Sequence, residues 1–240
     1  MEKAKVIQAL RDGKIALVSR YNRMLVKRGK WADLTGADLR DADLTRAVLI
    51  RADLRDAVLE GADLTRADLT RADLRDAVLE GADLRDAVLE GADLRGADLT
   101  RAVLTRADLR DAVLEGADLT RAVLTWANLR DADLTGAVLT WANLRNAVLE
   151  GADLRDADLT RADLTRAVLR GANLDFSSGL PRWCGSFNVK VDDKYAYDQA
   201  YHFCRLIFPE GSDGEKIQKY LKKYANKSGL IERHELEKIR

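Results

Sequence analysis

From Ala32 to Leu174 the chain repeats one five-residue unit, Ala-(Asp/Val/Asn)-Leu-x-x, 29 times without an insertion, a deletion or a missing Ala or Leu. A period of five fits neither regular element. On a helix, at about 100° per residue, successive leucines would scatter around the cylinder. On a flat strand they would alternate faces, because the side-chain period there is two and five is odd. The pattern is consistent only with a backbone that turns at every repeat, pointing each Ala and Leu inward and the other three residues outward. Such a chain winds as an all-β solenoid.

Turns of a solenoid stack at about 4.8 Å, the spacing of hydrogen-bonded strands, so Leu lies on Leu and Ala on Ala. Each buried Leu contributes about 1.5–3 kcal/mol against the entropy of ordering the chain. Units such as Ala62-Asp63-Leu64-Thr65-Arg66 carry the motif A(D/N)LXX, and over residues 32 to 176 the run resembles the pentapeptide-repeat proteins. The resemblance implies a right-handed quadrilateral β-helix with four repeats per coil, hence about seven coils and a rod about 35 Å long at the strand spacing. Two departures from the motif stand out. Ten repeats carry Val in the second position (48, 58, 78, 88, 103, 113, 123, 138, 148 and 168), and the regularity suggests recent duplication or consensus design.

An open solenoid exposes its Leu core and unpaired strand edges at both ends, so something must cover them. Residues 1–30 carry Val6, Ile7, Leu10, Ile15, Leu17, Val18, Tyr21, Met24 and Leu25 at helical spacing, broken at Asp12-Gly13 and Gly29. They are expected to form one or two amphipathic helices as an N-terminal lid. After Asn173-Leu174 the composition changes: all four Phe and five of six Tyr lie beyond residue 175. Residues 31–176 thus form the β-helix and 177–240 a helical tail or cap. Helices are expected at Asp192 to Phe208, Asp213 to Ala225 and Ile231 to Ile239, after a turn at Pro181. Aromatics in that tail also suit a homodimer.

Formal net charge is zero over 240 residues, but it is unevenly spread. Lys and Arg against Asp and Glu run 9 to 2 in residues 1–30, 19 to 29 in 31–175 and 12 to 9 in 176–240. The rod is acidic and its ends basic. Neither a run of 18 apolar residues nor a secretory signal is present, and two cysteines make no disulfide framework, so a cytoplasmic protein is expected.

Catalytic chemistry finds little support. The Asp columns are repeated structural positions without a cleft, and Gly61, Gly81, Gly91, Gly116 and Gly151 follow Leu-Glu at turns rather than forming a phosphate loop. Cys184, His202, Cys204 and His234 supply a Cys2His2 inventory, but the spacing is unlike a zinc finger. No enzyme activity, cofactor or metal is expected.

The coil size implied by the resemblance assigns the repeats to four faces. Asp33, Asp53, Asp73, Asp93, Asp133 and Asp153 align, with Arg55, Arg75, Arg95 and Arg155 in a parallel column whose opposite charge makes the acidic stack tolerable. One corner column carries Arg101, Arg121, Trp141 and Arg161, and the next carries Arg46, Arg66, Asp86, Arg106, Trp126, Asn146 and Arg166. Between them runs a threonine column, Thr45, Thr65, Thr105, Thr125 and Thr165, interrupted by Arg85 and Arg145. Arg with Trp is the composition of interface hot spots, so Arg101, Arg106, Arg121, Trp126, Trp141, Arg161 and Arg166 form the candidate interaction face. The bland alternative is that both tryptophans pack on a Val or on the tail. Threonine columns also resemble ice-binding solenoids, a reading the arginine interruptions oppose.

The expected role is a non-catalytic scaffold or interaction module that docks a protein partner on its flat walls, without direct nucleic-acid binding. The alternative implied by the resemblance is a DNA mimic that occupies the DNA-binding saddle of a type II topoisomerase such as gyrase. The acidic rod favours mimicry; 19 interleaved arginines and uninterrupted coils oppose it.

Overall fold

The computed structural model describes residues 3–174 and residue 177. Two helices, α1 (Lys3–Arg11) and α2 (Ile15–Val26), precede the repeats. The expected helices and the Cys184, His202, Cys204 and His234 inventory of the tail lie outside the described residues.

Through the repeats, the residue before each Leu makes a parallel bridge with its counterpart 20 residues on, from Asp33↔Asp53 to Asp153↔Asn173, so four repeats complete one turn of the solenoid. Strands are this short because a turn begins at every Leu: the Ala37 N–H donates to Leu34 C=O at 2.9 Å, and the same bond recurs down the chain. The third residue of each such turn, from Gly36 to Gly171, has positive φ, as a type II turn requires. Nine of these corners are Gly and 19 are not, so most coils accept a left-handed corner residue, at a local cost of about 1–2 kcal/mol, to close the square.

One repeat accounts for all its backbone donors. In 52–56, Ala52 N–H closes the turn on Leu49 C=O, Asp53 N–H reaches down to Ala32 C=O, and Leu54 and Asp56 N–H reach up to the carbonyls of Asp73 and Arg75. The remaining donor, Arg55 N–H, meets the carboxylate of its own repeat, Asp53 Oδ1, at 3.3 Å. Every donor is thus satisfied in a backbone with no long strand.

The core is a stack of leucines, each 2% exposed or less from Leu34 to Leu169, lined by alanines that let neighbouring walls approach. The first coil has no coil below it, and α1 and α2 fill that place. Val6, Ala9, Leu10 and Val18 are buried. Polar contacts follow the ladder: Ser19 Oγ accepts from Val48 N–H at 2.9 Å, Asn22 Nδ2 donates to the carbonyls of Val48 and Ile50 at 3.1 Å each, and Asn22 Oδ1 accepts from Ala32 N–H. On the wall opposite Val48, Arg11 Nε donates to Asp38 C=O at 2.8 Å. Side chains therefore stand in for the N–H and C=O groups that another coil would present.

Candidate functional site

Outside the core, three positions per repeat remain, and their chemistry is coupled. Each Asp or Asn before a Leu, from Asp33 to Asp163, accepts the N–H of the second residue on, as in Thr35 N–H to Asp33 Oδ1 at 3.1 Å. This Asx-type bond turns the side chain along the wall. Where Asp-Leu is followed by Arg, the guanidinium reaches the same carboxylate: Arg75 Nε and Nη2 meet Asp73 at 2.8 and 2.6 Å, and Arg55, Arg95 and Arg110 do likewise. Hydrogen bonding from Arg55 holds Asp53 down at about 2, and Arg40 does the same for Asp38.

The alternation is regular. Within the repeats every Glu after a Leu follows Val, and every Arg there except Arg170 follows Asp or Asn. Val removes the carboxylate that would repel Glu, and the Glu turns to a neighbouring coil instead: Glu90 to Arg110 of the next coil at 2.7 Å and Glu150 to Arg130 of the preceding coil at 2.9 Å. Five of the ten Val departures (58, 78, 88, 113 and 148) thus belong to a charge pattern; the other five precede Leu-Ile, Leu-Thr or Leu-Arg. Pairing in the acidic columns is mainly within a repeat, with longer contacts between coils such as Arg55–Asp73 at 3.6 Å. These pairs are half-exposed, so each contributes little on its own.

The corners place the candidate residues in two columns. Arg101, Arg121 and Trp141 donate backbone N–H groups to Thr120, Thr140 and Thr160 of the following coil, setting Arg101, Arg121, Trp141 and Arg161 in one line. Arg106 and Trp126 bond likewise to Thr125 and Arg145, and Asn146 to Thr165, which carries the second line on to Arg166. Between the lines the wall exposes half-buried Val103 and Val123, Asn143 and Asp163, then Thr105, Thr125, Arg145 and Thr165. Thr105 and Thr125 hydroxyls bond each other at 3.0 Å, which spends one of their two donors internally.

The seven candidates are not equivalent. Arg106 is bound to Asp86 one coil below at 2.7 Å, and Arg101 lies 3.5 Å from Glu80, so both are partly neutralised. Arg121 and Arg166 carry no ion pair among the described residues. Arg161 stacks on Trp141, its guanidinium 4.5 Å from the ring centroid. Trp126 is 62% exposed and Trp141 51%, so neither is buried against a valine.

Counting the wall and both its corners over the coils that hold residues 101–166, six arginines face one carboxylate, Asp163. In the preceding coils the same wall carries three arginines and five aspartates (Asp41, Asp43, Asp63, Asp83, Asp86). The wall is therefore polarised along the rod. Sequence reasoning missed a second threonine column, Thr100, Thr120, Thr140 and Thr160, on the other side of the Arg101 corner, although the same 20-residue register reveals it. Thr120 and Thr140 bond at 3.1 Å. Among the described residues, no group of three or more His, Cys, Asp or Glu is placed to hold a metal, and no helix is long and apolar enough to cross a membrane.

Parallel bridges at every twentieth residue, closed by a turn after each Leu, define a β-helical repeat protein. The family described as "Pentapeptide repeats" matches in eight copies over residues 30–66, 62–101, 97–136 and 137–175, and the chain belongs to it. Among solved structures, HetL, a pentapeptide repeat protein involved in heterocyst differentiation regulation from the cyanobacterium Nostoc sp. strain PCC 7120, is 35% identical over 75% of this chain and 78% of its own, with a TM-score of 0.36. Full-length QnrB1, a plasmid-mediated fluoroquinolone resistance protein, is 24% identical over 71% of this chain and 88% of its own, with a TM-score of 0.50, a likeness of fold. A search of curated proteins found no match.

Proposed function

We propose that the protein is a non-catalytic interaction module, a cytoplasmic rod of about seven coils closed at its N-terminal end by α1 and α2, that docks a protein partner on the wall between the Arg101 and Arg106 corners. The observation that carries this reading is the polarisation of that wall: six arginines against one carboxylate, with two exposed tryptophans, on a rod whose repeats are otherwise acidic. A flat β-wall costs nothing to preorganise, and Trp with Arg supplies the anchors that interfaces use. Immobilised wild-type protein and a variant carrying Arg121→Glu, Arg166→Glu and Trp126→Ala separate the outcomes in a crosslinking pull-down. Partners captured by the wild type and lost by the variant support the reading, and identical captures overturn it.

The second reading, mimicry of DNA toward gyrase, rests on the acidic excess of 29 carboxylates to 19 arginines in residues 31–175. It is the weaker, because Asp38, Asp53, Asp73, Asp83, Asp93, Asp108 and Asp153 are paired with arginines of their own repeats and present little free negative charge. Inhibition or protection in a gyrase supercoiling assay would establish it over the first.

A further inference from the structure

We infer that the occupant of this wall is an amphipathic helix of a partner protein, with acidic flanks, laid along the rod over Val103 and Val123. The inference rests on the interaction role proposed above and names the chemistry of the partner.

The wall has a floor and two rims. Val103 and Val123 bridge directly between coils, and beside them the hydroxyls of Thr105 and Thr125 bond each other, so the floor carries two valines and one donor is spent between the threonines. Arg101 and Arg121 stand along one rim, and Arg106 and Arg166 along the other, with Trp141 and Trp126 among them. An apolar strip between two cationic edges is complementary to an apolar helical ridge flanked on both sides by Glu or Asp.

The spacing agrees. Coils rise by about 4.8 Å and a helix by about 5.4 Å per turn, so each turn of a docked helix meets one coil, and four coils accommodate about 13 residues. Side chains at i and i+3 or i+4 would stack over Val103 and Val123, with the next two turns over Asn143 and Asp163, while their neighbours reach the arginines.

Two other occupants fit less well. A single-stranded nucleic acid gains affinity from a series of aromatic platforms, yet the described residues of this wall offer two rings, Trp126 and Trp141, one face of Trp141 is taken by Arg161, and the floor is Val and Thr. An unstructured acidic chain would use the arginines but has no apolar ridge to cover Val103 and Val123.

The test uses the full chain and three fluorescent probes: an amphipathic Leu/Glu/Ala peptide of about 16 residues, a scrambled peptide of the same composition, and an oligothymidylate. The diagnostic variant is Val103→Asn with Val123→Asn. Asn occupies the same repeat position at Asn128 and Asn143, where it accepts the backbone N–H of Arg130 and Arg145, so the substitution keeps the fold and the charge while making the floor polar. The amphipathic peptide is expected to bind the wild type about tenfold more tightly than the scramble, and to lose about that factor on the Asn variant, a change of about 1.4 kcal/mol. Equal binding of both peptides, an unaffected Asn variant, or tighter binding of the oligothymidylate overturns the inference. If neither peptide binds while the pull-down still depends on Arg121, Arg166 and Trp126, the interaction role survives and the helical partner falls. If the pull-down is also unchanged, both fall.

Discussion

The side-chain amide of Asn22 donates to the carbonyl of Val48 at 3.1 Å, a bond between α2 and the first coil that stands where a backbone N–H of a lower coil would be. Asn22 is fully buried and also serves Ile50 C=O and Ala32 N–H. Replacing it by Leu leaves those three groups without their partner while keeping apolar volume. A loss of about 2–4 kcal/mol is expected at this end, against about 1–2 for Ser19→Ala, which removes one acceptor. Hydrogen exchange provides the check: the Ala32 amide should exchange faster in Asn22→Leu, while Leu104 and its neighbours, several coils away, keep their protection.

Leu104 is fully buried in the middle of the leucine column, whereas Thr105 next to it faces out and is half-buried. Leu104→Ala should cost about 2–5 kcal/mol through the cavity it leaves, and Leu104→Asp still more because the carboxylate would have no partner. Thr105→Ser should cost well under about 1 kcal/mol, since it keeps the hydroxyl that meets Thr125. Urea melts of the three variants with matched m-values decide the matter. Equal shifts for Leu104→Ala and Thr105→Ser would contradict the inward placement of Leu.

How much of this was legible can be judged from Leu104 and Asn22 themselves. Leu104 was readable because a repeat of odd period forces a turn, and a turn at every Leu forces Leu inward. The columns of Arg101 and Arg106 needed only one further quantity, the four repeats per coil, which the bridges between residues 20 apart supply. The role of Asn22 was not readable, since a lone Asn on a helix gives no hint that its amide will meet the edge of a sheet. The charge pattern lay between these cases. Asp followed by Arg, and Val followed by Glu, is plain in the sequence, but a column view hides it: it sets Arg55 beside the Asp53 stack as a whole, whereas the closest guanidinium contact is within the repeat at 2.6 Å. The neighbour that neutralises Arg106 was in view, since Asp86 precedes it in the same corner column, whereas Glu80 beside Arg101 is out of register with its column and was not.

The carboxyl of Asp53 is held at about 2, below its ordinary value, by the guanidinium and N–H of Arg55, and that of Asp38 at about 2 by Arg40. A depressed folded-state value means that the unfolded chain takes up protons first as pH falls. The contribution is complete above the ordinary carboxylate range near 4 and is lost as pH drops toward about 2. Urea midpoints should therefore stay level from about pH 7 to 5 and decline between about 4 and 2. Asp53→Asn, which keeps the Asx-type acceptor but has no charge to titrate, should make that decline shallower. An unchanged slope would show that the pair does not couple folding to pH.

Arg121 and Arg166 have no ion pair among the described residues, whereas Trp126 and Trp141 offer exposed rings on the same wall. The two kinds of residue should act on different steps of binding. Arg121→Gln with Arg166→Gln should slow association and flatten its dependence on salt, because exposed charge acts on encounter over about a Debye length. Trp126→Ala should leave association nearly unchanged and speed dissociation, since a desolvated aromatic anchor is lost only once the complex has formed. Trp141→Ala should do both to a lesser degree, because it also removes the ring on which Arg161 is stacked. Surface plasmon resonance with the amphipathic peptide at two ionic strengths separates the rates. The thermal midpoints should stay close to that of the wild type, since all these side chains face outward at corners. A large drop in melting temperature for Trp126→Ala, with dissociation unaltered, would make the tryptophan a packing residue and remove this wall as a site.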